Sequence, residues 1–322
     1  MKFQRFFIME VQGATQKWAF GSPLTLELSI VQGVWQGISH ATFRIYNLSR
    51  EMNSDIFQLS IDQGSFRQIK LWAGYRYSNS TQLPSGQWVS PPTNSAGLTD
   101  TFYLDKKYVP FRPPLIFDGN IISSSSSREG PIWITTIEAW DGGFARTNSY
   151  VSISFAPGVT FQNIASSLIN SMGTTVSVGY ISPDITINNL KGMTVMGNPY
   201  DKLLNLCAGL NADMYINFGK IYIVKKGQPV PSLGTFSIDS TTGLLDTPQI
   251  EFPKYSFKML FEPRIMLGQT ASVTSLLSVT SGDFTVGGIS HNGMISDAVG
   301  GDLTTRVECY TPKAFIPAGM VP

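Results

Sequence analysis

PLIFDGNIISSSSSREGPIWITTIEAWDGG, residues 114–143, decides how the chain reads. Ile116, Asn120 and Ile122 alternate with Phe117, Gly119 and Ile121. Apolar side chains therefore stand on both faces of an extended segment, and this strand is expected to be covered on both sides. Ser123 to Ser127, with Arg128-Glu129-Gly130, read by composition as a solvated loop. Ile132, Ile134, Thr136 and Glu138 then alternate with Trp133, Thr135, Ile137 and Ala139, and Trp140-Asp141-Gly142-Gly143 closes the strand with turn chemistry.

The same layout returns at residues 282–310, GDFTVGGISHNGMISDAVGGDLTTRVECY. Setting Ile116-Phe117-Asp118-Gly119-Asn120-Ile121 beside Phe284-Thr285-Val286-Gly287-Gly288-Ile289 puts glycine at the fourth place and isoleucine at the sixth. Each segment runs into a polar loop and then an alternating strand, 133–139 in one and 303–309 in the other. Upstream, Ile69-Lys70-Leu71 parallels Ile265-Met266-Leu267. The order strand, gap, hairpin at both ends of the chain points to two related β-domains.

Outward from these hairpins, residues 24–30 and 41–45 alternate as half-buried strands. A capped turn begins at Ser49, with Met52, Ile56 and Leu59 facing inward. A third strand runs from Phe66 to Leu71 and closes in Ala73-Gly74-Tyr75. Residues 76–114 hold six prolines among Ser, Asn and Gly, and read as a long excursion with a small hairpin at Thr101 to Leu104. Loops of this length usually reach a partner or stay disordered. Trp88 within it is hard to bury in its own domain and is the residue assigned to partner contact, against the alternative of a loop packing on its own side chain.

Between the hairpins the period changes. Phe161, Ile164, Ala165, Leu168, Ile169 and Met172 form one helical stripe, which Thr160 can cap. Pro199 suits the first turn of a second helix that buries Tyr200, Leu203, Leu204, Cys207 and Ala208. Residues 214–216 and 221–224 flank Asn217-Phe218-Gly219-Lys220 as a hairpin, and Pro229 and Pro231 mark 227–233 as a linker. The chain is thus expected to be mainly β, with β-domains at 1–150 and 233–322 flanking a small α+β module at 151–232.

Composition narrows the function. The 322 residues are 42% hydrophobic and only 14% charged, against about 25% charged in ordinary globular proteins. A folded chain this poor in charge is expected to cover much of its surface in an assembly, the alternative being a monomer with a Ser/Thr/Asn/Gln surface. A net charge of +1 argues against nucleic acid as the main ligand. Phe6-Phe7-Ile8-Met9 ends at Glu10, too early for a signal peptide, and no apolar run reaches the length of a membrane span. The two cysteines, Cys207 and Cys309, have no metal spacing and are expected to be buried thiols of a reduced compartment.

Chemistry is hard to find. His40 and His291 each follow Gly-Ile-Ser, but adjacent strand residues face opposite ways, so neither serine can pass its proton to its neighbour. Ala41 and Asn292 stand where a nucleophile elbow needs glycine. Zinc, Walker and dinucleotide patterns are missing. Asp118, Glu138 and Asp141 flank one hairpin, and a fold could pair such carboxylates for glycoside cleavage; Asp118 and Asp141 precede glycine and suit turns better. Trp72, Trp133 and Trp140 belong to strands, where core packing is the usual role. No catalytic, cofactor or metal site is assigned.

Several of these segments together resemble a known family: Ala41-Thr42-Phe43-Arg44-Ile45-Tyr46-Asn47-Leu48 before a capped turn, Ile69-Lys70-Leu71-Trp72-Ala73-Gly74-Tyr75, Ile116-Phe117-Asp118-Gly119-Asn120-Ile121, and Asp141-Gly142 closing a strand. They are similar to the baseplate hub proteins of tailed phages, of the contractile-tail type; residues 198–226 and 284–310 also match, while 76–114 does not. The resemblance implies two tube-type antiparallel β-barrels per chain and a homotrimer presenting six barrels as a pseudo-sixfold ring. It implies docking to the tail tube protein on one side and a spike protein on the other, with other baseplate subunits and the tape measure protein as partners. It implies a channel past which DNA slides without specific binding, no cofactor, no small-molecule substrate, and a place in the virion after assembly in the host cytoplasm. Two other readings stay open: a peptidoglycan- or carbohydrate-active tail enzyme, and a distal tail adaptor or tube subunit.

Overall fold

The computed structural model describes residues 5–35, 39–58, 66–75, 113–187, 191–251, 254–296 and 301–311. Nearly all of the 76–114 excursion, with Trp88 and the expected hairpin at Thr101 to Leu104, lies outside them, as do Gly37, Ile38 and Leu59.

The first unit comprises β1 (Arg5–Gln12), β2 (Lys17–Gly21), β3 (Leu26–Gly33), β4 (His40–Tyr46), α1 (Arg50–Ile56), β5 (Gln68–Tyr75), β6 (Leu115–Glu129) and β7 (Ile132–Trp140). Ser49 caps α1, its Oγ accepting the Met52 N–H at 3.2 Å, which satisfies one orphan donor of the first turn. Alternation sends Leu26, Leu28, Ile30, Ala41, Phe43, Ile45, Ile137 and Ala139 to one buried cluster. Both faces of β6 are covered along its first half, as its sequence predicts: Ile116 and Phe117 are both buried.

The middle of the chain holds α2 (Gly143–Thr147), β8 (Val151–Phe155), α3 (Phe161–Ser171), β9 (Ser177–Ile181), β10 (Met193–Gly197), α4 (Pro199–Gly209), β11 (Ala212–Asn217) and β12 (Lys220–Lys225). Thr160 and Asn198 cap the two long helices, and Pro199 occupies the first turn of α4. The β11–β12 hairpin faces two ways because strand side chains alternate. Met214, Ile216, Ile221 and Ile223 join the helices' core, while Tyr215, Tyr222 and Val224 join the core of the last unit.

That unit comprises β13 (Thr235–Ile238), β14 (Gln249–Glu251), β15 (Lys254–Leu260), β16 (Thr270–Val273), β17 (Gly282–Ile295) and β18 (Leu303–Tyr310). Val230, in the segment read as a linker, is buried in the same core.

The strand orders of the two β-units coincide. One runs β3-β4-β7-β6-β5-β1 and the other β14-β15-β18-β17-β16-β13. Counted in chain order within each unit (leaving out β2), both are second, third, sixth, fifth, fourth, first. The registers coincide as well. Ala41 pairs with Ala139 and Phe43 with Ile137; Tyr255 pairs with Cys309 and Phe257 with Val307. The burial pattern along β4, exposed or half-buried alternating with buried, is that of β15. In each hairpin one residue bulges just before the long arm, Ile122 in the first and Gly287 in the second. The units differ at their first strand, since β1 pairs with β5 antiparallel while β13 pairs with β16 parallel.

The ladders correct the residue-level alignment drawn from sequence. The bulge, not the shared glycine, marks the common point: Ile121 corresponds to Val286, and Gly119 lies before the bulge while Gly287 forms it. Ile265-Met266-Leu267 is not a strand; the counterpart of β5 is Thr270–Val273, which pairs with β17 as Gln68 to Leu71 pair with β6. The serine run is not a loop either. Ser123 to Glu129 form a ladder with Glu138 to Ile132; backbone pairing does not depend on the side chains, and Ser124 is buried with its Oγ donating to the Ile56 carbonyl. Trp133, expected in a core, is 43% exposed. Among the described residues, β2, β13 and β14 each pair on one side only, so the pairing seen forms one long, mainly antiparallel sheet rather than closed barrels.

Candidate functional site

The two β-units are joined by backbone pairing. Gly288 to Ile295 of β17 run antiparallel to Gly33 to Leu26 of β3. The seam extends beyond the ladder: Val34 N–H donates to the Gly287 carbonyl at 2.8 Å, Ser29 Oγ donates to Asn292 Oδ1 at 2.7 Å, and the hydroxyls of Thr25 and Ser296 lie 2.8 Å apart. Its apolar side is continuous with the first unit's core. Phe261, Ile295 and Leu303 come from the second unit yet belong to the cluster built around Phe43 and Phe117, and Phe261 packs on Tyr75 with ring centroids 5.9 Å apart. His291 sits within this seam, fully buried, with Nδ1 2.9 Å from Thr305 Oγ1; burial pushes its pKa down to about 4, so it is a neutral hydrogen-bonding residue. His40 is exposed at the start of β4.

The repeat has used one seam and leaves one edge of each kind over. In the first unit, the side of β6 away from β7 pairs with β5 along Leu115 to Asn120 and carries an isolated bridge from Gln58 to Ser124; past Ser124, among the described residues, no strand pairs there. In the second unit β14, the counterpart of β3, pairs among the described residues with β15 alone. Exposed apolar side chains lie beside the first edge and, in the second unit, in the β16–β17 connection. Phe57, 46% exposed, and Trp133 line a groove of about 400 Å³ with Arg50, Asn53, Ser54 and Ser126. The Arg128 guanidinium lies over the Trp133 ring at 5.9 Å. On the second unit Leu276, Leu277 and Val279 are 91%, 53% and 64% exposed in the β16–β17 connection, a Ser/Thr segment in which the Leu-Leu pair was the available signal. Free strand edges and contiguous apolar patches of this kind mark protein contacts.

The carboxylates singled out from sequence are partly brought together. Asp118 and Asp141 line one polar cavity of about 370 Å³ with Gln12, Gln68, Asn120 and Lys220; Glu138 does not line it and accepts a hydrogen bond from Ser123 Oγ. Asp118 is held by Lys70 at 3.1 Å and by Gln68. Asp141 Oδ1 accepts the Gly219 N–H at 3.0 Å, tying the end of β7 to the tip of the β11–β12 hairpin. Burial pushes its carboxyl up to about 7. The Asp141–Gly219 bond ties the first unit to the middle one, and Asp141 Oδ2 is buried with no hydrogen-bond partner. Both cysteines are buried free thiols, and burial pushes Cys207 up to about 12. The described residues contain no group of three or more metal-ligating side chains.

Solved structures share this architecture at very low identity, and so speak for the fold alone. A tail protein from Neisseria meningitidis MC58 superposes with a TM-score of 0.56 at 9% identity, over 95% of this chain and 96% of that one. The 43 kDa tail protein of prophage MuSo2 from Shewanella oneidensis gives 0.56 at 8% identity, over 95% and 98%. A chain of the Francisella PdpA-VgrG complex gives 0.51 at 8% identity, over 96% of this chain and 58% of that one. No curated protein matches the sequence. The family model described as baseplate hub gp41 matches residues 8–292. With that match spanning most of a chain built from a doubled β-unit, the protein belongs to the baseplate hub gp41 family, structural components of the phage tail baseplate.

Proposed function

We propose that three copies of the chain close into a ring that adapts a sixfold tail tube to a threefold spike and lines the channel for genome ejection. The observation that carries this reading is the pairing of β17 with β3 between two units of the same strand order. That contact is heterologous: the β17 side of one unit meets the β3 side of the next. Contacts of this sort close when their rotation divides the circle. Repeated between copies, it would join β6 of one chain to β14 of the next, and three chains would supply six similar units.

Each unit is proposed to be a tube-type barrel. In the first, strands β1 to β7 enclose a single buried cluster around Phe43, which supports this reading. The division proposed is 1–150, 151–232 and 233–322, with Phe261, Ile295 and Leu303 packing across it into the first cluster and Tyr215, Tyr222, Val224 and Val230 into the last; the tail tube, spike and neighbouring baseplate proteins are the partners this role requires. Trp88 is proposed as one contact to them. The role is structural, without turnover. The near-neutral, charge-poor composition suits a wall that DNA passes without adhering.

Native mass spectrometry of the purified chain tests this. A species of three chains is expected. Monomers at every concentration, or closed hexamers of the chain, would refute it. Hydrolysis of cell-wall material abolished by Asp141→Asn would favour the enzyme reading.

A further inference from the structure

We propose that the polar cavity between the first β-unit and the middle module binds a small saccharide. The inference goes beyond the ring reading and does not depend on it.

At about 370 Å³ the cavity lies at the small end of ligand sites, with room for a mono- or disaccharide. Both units build its walls. β1, β5 and β6 supply Gln12, Gln68 and Asn120, while the segment after α3 and the β11–β12 hairpin supply Thr175, Ser177 and Lys220. Side-chain amides and hydroxyls both donate and accept, as sugar hydroxyls do. Charge around the cavity is balanced. Lys70 stands 3.1 Å from Asp118, and Lys220 shares the lining with Asp141. An ion meets no strong excess of opposite charge there, whereas a neutral polyhydroxylated ring meets donors and acceptors from both units. Asp141 adds an acceptor that lacks a donor. Its Oδ1 takes the Gly219 N–H, but Oδ2 is buried with no partner. A buried oxygen left unpaired is costly, and a ligand hydroxyl would pair it.

Phe218 carries the argument further. Asn217 pairs with Lys220, so Phe218-Gly219 is a two-residue hairpin loop, with φ of 52° and 70°. Such loops favour Asn, Asp or Gly, because other side chains are strained in the left-handed region. A phenylalanine there is an outlier. Core packing does not explain it: Phe218 belongs to none of the three large buried clusters and lines the cavity instead. Phe66 lines the cavity from the first unit, its ring set edge-on against Phe144 with centroids 4.9 Å apart. Aromatic rings offer the apolar surface that the C–H face of a pyranose can cover. Backbone strain retained at such a side chain points to a binding task.

Saturation-transfer NMR of the purified chain with N,N′-diacetylchitobiose and with maltose tests this. Saturable transfer to one or both is expected; preference for the acetamido sugar would name a cell-wall glycan as the source, and preference for maltose a neutral glucan. Phe218→Asn is the deciding variant. Asparagine suits the left-handed turn, so this chain should unfold at a higher temperature than wild type and yet bind the sugar roughly tenfold more weakly. Gln12→Ala, at an exposed position of β1, should weaken binding roughly fivefold with unfolding unchanged. Absence of saturable transfer to either sugar overturns the inference, as does binding unaltered in both variants. A Phe218→Asn chain that unfolds below wild type would give the ring a packing role and overturn it too. The ring reading is judged separately, by the number of chains in the assembly.

Discussion

Leu303→Ala, set against Trp133→Ala, measures how much the internal seam holds. The two positions correspond in the repeat, yet Leu303 is 1% exposed within the cluster shared by both units while Trp133 looks onto the groove. Removing a buried leucine side chain costs about 2–5 kcal/mol, the larger values applying where neighbours cannot collapse into the space. Leu303 pairs with Gly293, and the next residue, Thr304, is paired on both sides, so collapse is limited and about 3 kcal/mol is expected. For a chain of this size that is a fall in Tm of roughly 4–5 °C. Trp133→Ala removes the contact to Arg128, worth about 0.5–1 kcal/mol at an exposed site, with part of a half-buried ring. Its cost should stay near 1–2 kcal/mol, a fall of roughly 1.5–3 °C. Scanning fluorimetry of dilute chain gives both numbers, and hydrogen exchange shows whether amides 288–295 lose protection in the first variant. Equal falls in the two variants, or a neutral Leu303→Ala, would refute the claim that the two units share one core across the seam.

Other outcomes follow from single features of the fold. Chains with Ser126→Cys mixed with Ile250→Cys chains should form disulfide-linked dimers in the assembly. These positions repeat the His291–Ile30 pair, and antiparallel partners about 4.5–5.5 Å apart at Cα fall within disulfide range; Arg128→Cys in place of Ser126→Cys should not link. Asp141 carries a pH dependence of known sign. Its folded carboxyl titrates near 7 against 3.8 for the free group, so its contribution is full below about 3.8 and is lost as pH rises through about 7. Asp141→Asn should therefore raise Tm relative to wild type at about pH 8 and have little effect at about pH 4; a variant curve parallel to wild type would contradict the buried ionisation. Gly142 sits at φ 69°, and a Cβ there would lie 2.4 Å from Ile216 Cδ1. Gly142→Ala should cost about 2 kcal/mol, from the left-handed backbone and the displaced isoleucine together, read as a lower denaturation midpoint.

Alternation and helical stripes were legible in the sequence because single faces of those segments are buried. β4, β7, α3, α4 and the β11–β12 hairpin stand where their patterns place them. β1 was missed: Phe6 to Met9 are all buried, and a strand covered on both faces has no period to read. Ser123 to Ser127 were taken for a loop because composition reports side chains, whereas their partners in β7 decide the backbone. The doubling of the hairpin was visible, but its register was not, since Gly119 and Gly287 are shared by accident of composition and the bulge appears only once the strands are paired. Trp133 illustrates the same limit at the candidate site. Its alternation is that of a core residue, yet it stands 43% exposed, because alternation gives the face a side chain takes and not what covers that face.

The arrangement of units around the axis of the purified assembly tests the central claim most directly. Class averages viewed down that axis should show six similar lobes in a ring of true threefold symmetry, alternate lobes differing where the β5–β6 and β16–β17 connections differ. Averages with twofold or true sixfold symmetry, or with three lobes and nothing between them, would contradict the account.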